Sequence, residues 1–135
     1  MVNLPTDLPT FHDGYFDGLW IGPNKLVQFF LRTVDELAFV LILEDVQRLV
    51  LNDIRQGNII FDLVIRRTGE LTLSDMNEFC GVALDRPQAL SLLKTATEQG
   101  QQVLEINPSY GTQGLVLFKN WNLSQRVGSP SNSTL

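Results

Sequence analysis

Cysteine and histidine are almost missing from this chain. Cys80 is the one cysteine and His12 the one histidine. A single thiol cannot close an intrachain disulfide, which suits a reducing compartment. A single imidazole excludes any multi-histidine metal centre. His12, Asp13, Asp17 and Cys80 could supply a mixed ligand set, but they lack the paired spacing of a metal site, and neighbours along a strand point to opposite faces. No metal and no cofactor are expected. Positive charge is also scarce: 10 Lys and Arg face 15 Asp and Glu, a formal charge of −5. Phosphate binding needs clustered cations, so nucleic acid is not an expected partner, whereas a basic protein would be attracted. Long apolar runs are missing too. The longest, residues 37–43, is much too short to cross a bilayer, and no membrane association is expected. The opening Met1-Val-Asn-Leu-Pro-Thr-Asp7 has no basic and apolar leader, so the expected location is cytoplasmic. No P-loop, dinucleotide-binding fingerprint or HExxH motif occurs, and the glycines are scattered singly, as turn residues are.

What is present is a hydrophobic content of 44% in 135 residues. That is enough to bury one core without metals or disulfides. The pattern predicts an α+β fold, mostly an antiparallel meander of about seven strands, with one main helix and one short helix. Residues 1–10 contain Pro5 and Pro9 and read as an arm. Residues 11–127 read as a single domain, and 128–135 as a disordered tail rich in Ser, Pro and Asn.

The first expected strand covers residues 11–21. Extended, it would place His12, Phe16 and Trp20 on one face and Phe11, Asp13, Tyr15, Asp17, Leu19 and Ile21 on the other. Gly14 and Gly18 lie between them, and glycine in a strand marks a bulge or a close approach. Strands follow at 26–33, with Val27, Phe29 and Leu31 inward, and at 37–43. The latter is apolar on both faces and so expected to be central. Next come 46–54 and 58–66, where Ile59, Phe61, Leu63 and Ile65 alternate with Asn58, Asp62 and Arg66. Residues 74–79 have capping-box spacing at Asp75 and Glu78. The main helix is expected to be capped by Asp85, to carry Pro87 in its first turn, and to end at Gly100. Ala89, Leu92, Leu93 and Ala96 form its apolar stripe. Strands at 103–106 and 115–123 complete the set, joined by a loop at 107–114.

Catalytic constellations are thin. Asp13 and Asp17, four residues apart on an extended strand, would be separated by roughly 13 Å, too far for a glycosidase pair. Ser109 with His12 and an Asp would make a triad in name only, because Pro108-Ser-Tyr-Gly111 lacks the flanking glycine of a nucleophile elbow. Cys80 has no neighbour that would lower its pKa. The aromatic residues Tyr15, Tyr110, Trp20 and Trp121 are candidate interface anchors, with core packing as the competing role. Asp13, Tyr15 and Asp17 together offer an aromatic between two carboxylates, suited to a basic partner.

Phe11-His-Asp-Gly-Tyr-Phe-Asp-Gly-Leu-Trp20 resembles the opening motif of a family of small, largely uncharacterised bacterial proteins. Glu44-Asp-Val-Gln-Arg-Leu-Val-Leu51, Gly57-Asn-Ile-Ile-Phe-Asp62 and Leu104-Glu-Ile-Asn-Pro-Ser-Tyr-Gly111 extend that resemblance over most of residues 11–123. More distantly, the Phe-His-Asp start with paired strands and an Asn-Ile-Ile strand is similar to an immunity-protein family of bacterial toxin systems. That resemblance implies a non-enzymatic protein that neutralises a toxin by binding it. The alternative is a small-ligand-binding domain or cryptic enzyme, with a pocket near His12, Asp13 and the loop 108–111. Oligomeric state is left open by the sequence.

Overall fold

The computed structural model describes residues 10–70 and 86–126. Eight strands run in chain order: β1 (Tyr15–Ile21), β2 (Val27–Arg32), β3 (Ala38–Glu44), β4 (Arg48–Asn52), β5 (Asn58–Arg67), β6 (Gln102–Tyr110), β7 (Gln113–Phe118) and β8 (Asn120–Gln125). Among the described residues, a short 3-10 helix (Thr68–Glu70) and one α-helix, α1 (Arg86–Glu98), stand between β5 and β6. The architecture is thus mostly β, an antiparallel sheet with one helix. The expected short helix at 74–79 and Cys80, like Asp85 and the N- and C-terminal segments, lies outside the described residues.

The sheet order is β4-β7-β6-β5-β1-β2-β3-β8. A simple meander therefore holds in two pieces only, β1-β2-β3 and β5-β6-β7. The strand expected at 46–54 does not pair with its sequence neighbours. It is shorter, and joins β7 with Arg48 opposite Leu117. The strand expected at 115–123 is divided at Lys119 into β7 and β8.

These departures have one cause. β3 leads into β4 through a bend at residues 45–47, and β7 into β8 through one at Lys119. β3 pairs with β8 as far as Glu44 opposite Asn120. The Lys119 N–H then donates to the Glu44 carbonyl at 3.0 Å, and the Gln47 N–H to the Leu117 carbonyl at 2.8 Å. Pairing continues directly into β4 and β7. With β1 joined to β5 at Tyr15–Ile59 and Phe16–Asn58, the hydrogen-bond ladder closes into a ring. A closed sheet has one interior, and strand stagger lets it curl round that interior.

The interior is filled. Phe16, Val27, Phe29, Leu31, Phe39, Leu41, Leu43, Ile60, Leu104, Ile106, Val116 and Phe118 form one buried cluster. The alternation expected in the second strand is observed: Val27, Phe29 and Leu31 are buried. β3 was expected to be buried on both faces. Its inner face is buried, but Ala38, Val40 and Ile42 are only half-buried, because among the described residues no second layer covers the outer face there. The reverse holds for β6 and β7, where outer-face Val103, Leu115 and Leu117 are also buried. Glu105 shares that face and is held by Arg66, Nε to Oε2 3.0 Å.

The helix ends as its sequence demands. Gly100 has φ +69, its N–H bonds to the Thr97 carbonyl, and the Gln101 N–H reaches back to Ala96. Glycine takes this left-handed position without a Cβ penalty. Ala96 is buried, whereas Leu92 and Leu93 are half-buried. Leu92→Ala should therefore cost about 1–2 kcal/mol, below the full core range. Urea unfolding measures it, and a loss above about 3 kcal/mol would show a tighter seat than half-burial provides.

Candidate functional site

The first strand begins later than the pattern suggests. Asp13 has φ +63, a left-handed turn conformation that ends any extended path through residues 11–14. Phe11 is consequently folded inward, 4% exposed, with its ring edge-on to Phe39 at 5.7 Å. His12 turns out to solvent rather than sharing a face with Phe16. Its Nδ1 lies 2.7 Å from the Phe61 carbonyl, and its ring meets the Phe61 ring edge-on at 5.2 Å. A carbonyl only accepts, so Nδ1 carries the proton. Asp13 lies 3.5 Å from Nε2.

A second irregularity falls between Phe16 and Gly18, where the β1–β2 register shifts. It inverts the alternation. Phe16 is buried, Leu19 packs at the margin of the core, and Trp20 is 46% exposed. Similarly, a shift between Ile59 and Asp62 puts Ile60 inside and leaves Phe61 exposed, the opposite of the simple alternation. Pro108 sits at this shift, opposite Ile60. Proline is accepted in a sheet at such bulges. The segment expected to be a loop, 107–114, is thus mostly strand, with only Gly111 and Thr112 between β6 and β7.

Cross-strand register gathers two of the expected anchors. Tyr15 lies opposite Ile59, and Ile59 lies opposite Tyr110. Phe16 and Ile60 point inward, so this row points outward. Directly opposed residues are about 5 Å apart, so the two tyrosines stand about 10 Å from each other across Ile59. Each carries a guanidinium. Arg32 lies 4.4 Å from the Tyr15 ring centroid, and Arg55 lies 5.3 Å from that of Tyr110. Arg32 is opposite Tyr15 and extends the row.

Carboxylates surround it. Asp17 grips Arg32 with both oxygens, at 2.6 and 3.0 Å, and Glu36 stands 3.6 Å away. Asp53 holds Arg55 at 2.9 Å. Bonding to Asp17 holds the Arg32 guanidinium protonated even more firmly than usual. For Arg55, the Asp53 carboxylate does the same, aided by the Tyr110 hydroxyl. Three carboxylates flank two guanidiniums, so the row keeps an acidic surround. Asp17 and Tyr15 thus meet at Arg32, whereas Asp13 is carried by the preceding turn toward His12 and Phe61. The expected single Asp13–Tyr15–Asp17 strand face does not form.

Asn58 locks the row from beneath. This buried side chain accepts from the Arg55 N–H (2.8 Å), the Thr112 N–H (3.1 Å) and the Thr112 hydroxyl (2.9 Å). Its amide donates to the carbonyls of Phe16 and Arg55. One residue therefore joins β1, the turn carrying Arg55 and the turn after Tyr110. A polar residue directly before the apolar run Ile59-Ile60-Phe61 is the signal that sequence reasoning missed.

The other constellations are not assembled. Among the described residues, His12 makes its contacts with Thr10, Asp13 and Phe61, and Ser109 is not one of them. A cavity of about 440 Å³ lies away from His12, lined by Arg67, Thr68, Thr97, Gln101 and Gln102 with Gly69 and Gly100. No helix among the described residues is long and apolar enough to cross a membrane. Comparison with family models, curated proteins and solved structures finds no match.

Proposed function

We propose that the chain is a non-enzymatic, immunity-like binding protein of the bacterial cytoplasm, and that it holds a basic protein partner on the Tyr15–Ile59–Tyr110 row. The observation that carries this reading is the cross-strand alignment of the two tyrosines on an outward face, with Tyr110 47% exposed. Tyrosine gives a partner wide contact area with little rotamer entropy to lose. The arginines stacked on the rings hold them ready, which lowers the ordering cost of binding. The surrounding carboxylates steer cations toward the row. The resemblance of the Phe11–Trp20 stretch to an immunity family points the same way.

A photo-crosslinking residue at position 110 in host cells should give one adduct, absent when the probe replaces the exposed Leu90 on α1. With the captured partner purified, Tyr15→Ala and Tyr110→Ala should each speed dissociation by about 30-fold or more, as for anchors at an interface centre. Asp13→Asn should slow association at low salt and little at high salt. It is the cleaner test of steering, because Asp17→Asn would also release Arg32. Unchanged rates at low salt in the folded variants would place the interface elsewhere.

A further inference from the structure

We propose that two copies of this chain associate edge to edge through β8, in an antiparallel pairing centred on Leu123. This surface is separate from the tyrosine row and does not depend on its role.

β8 is a terminal strand of the sheet order, bonded among the described residues to β3 alone. The Arg126 N–H donates to the Ala38 carbonyl at 2.8 Å, which sets the alternation of the ladder. Residues 122 and 124 therefore turn their backbone groups toward β3. Trp121, Leu123 and Gln125 turn theirs away from β3, to an edge that pairs with no other strand among the described residues. Such an edge is a template for another strand, and proteins usually blunt it with charge, proline or a bulge. β8 has none of these. Asn-Trp-Asn-Leu-Ser-Gln carries no charge and no proline, and its register with β3 is unbroken from Asn120 to Gln125.

The absence of charge selects the occupant. A two-fold contact sets each patch against its own copy, so charged patches repel themselves. In a chain of net charge −5, a neutral strand is the surface best suited to self-contact. The sequence is also self-complementary about Leu123. In that register Trp121 meets Gln125 of the second copy, so every open backbone group of these three residues finds a partner. Asn122 meets Ser124, a polar pair on the outer face, where the two already bond within one strand at 3.1 Å. Arg126 meets Asn120, and no two like charges are opposed. On the inner face, Trp121 and Leu123 are half-buried at the margin of the core, and pairing would cover them.

Sedimentation equilibrium of the full chain at about 100 μM should give twice the 15.2 kDa chain mass, since this concentration reveals even a dissociation constant near 10 μM. Asn122→Lys with Ser124→Lys sets lysine against lysine twice per dimer and should weaken association by about tenfold or more. Asn122→Lys with Ser124→Glu sets opposite charges together and should restore it. Both positions are exposed, so the fold should survive, as thermal melting would verify. Amide exchange of the unmodified chain gives a second reading: the N–H groups of Trp121, Leu123 and Gln125 should be protected at high concentration and lose protection on dilution. A monomer at 100 μM, a dimer indifferent to both double substitutions, or exchange at these amides independent of concentration would each overturn the proposal.

Discussion

Asn58→Ala should destabilise the fold by roughly 3–5 kcal/mol, far more than loss of a surface asparagine. The side chain is buried and engaged at both ends. Its oxygen accepts from the Arg55 and Thr112 amides and the Thr112 hydroxyl, and its amide donates to the Phe16 and Arg55 carbonyls. Alanine leaves all of these without their partner, and a donor or acceptor stranded away from water costs about 1–3 kcal/mol. Arg55 is exposed and recovers water, so the full sum is not reached. Asn58→Asp keeps the acceptor but turns the donor into a second acceptor facing two carbonyls, so it should be no better tolerated at neutral pH. Urea unfolding with an unchanged m-value is the measurement. A loss under about 1 kcal/mol for alanine would mean that water replaces the amide freely and that Asn58 does not lock the row.

Gly14→Ala should be nearly as damaging, for a different reason. A Cβ built on Gly14 would lie 2.3 Å from the Arg32 carbonyl oxygen and 3.0 Å from that of Phe11. Both obstacles are backbone, so no side chain can swing away. The Gly14 carbonyl also accepts the Ile60 N–H at 2.9 Å, and its own N–H donates to Phe11 at 2.8 Å. Displacing Gly14 therefore strains the β1–β5 junction, which is the shortest pairing in the ring. A cost of about 2–4 kcal/mol is expected, in the range of overpacked core sites. Raised amide exchange at Ile60 ahead of the rest of β5 would locate the damage. An alanine variant as stable as the parent would show that β1 can shift outward without penalty.

The same glycine shows how far the sequence could be read. His-Asp-Gly-Tyr looks like part of a strand because aromatic and polar residues alternate there. Nothing in that alternation says that Asp13 adopts a left-handed turn, because the turn is tied by backbone hydrogen bonds to Ile60, a residue distant in sequence. Where one face is buried and no bulge intervenes, period alone suffices, as in Val27, Phe29 and Leu31. Where a bulge adds a residue, every later side chain changes face, which is why Trp20 does not share the buried face of Phe16 and Phe61 lies outside. Both tyrosines could be named as anchors from composition. Their meeting across Ile59 could not, because it depends on the register of three strands from distant parts of the chain. Pro108 misled in a similar way: it signals a loop by itself, but is housed at a bulge once β5 supplies one.

The joining of residues 38–52 to 113–125 also governs when the protein can fold. During synthesis the apolar β3 emerges long before its partner β8, which is distant in sequence. Until β8 has left the ribosome, one side of β3 has no ladder to join. Non-local pairings of this kind are slow to form, and an unpaired apolar strand is vulnerable to aggregation in the interval. Completion of the ring therefore waits for β8, and a chain stopped before Asn120 should remain bound by chaperones rather than released as a smaller folded unit.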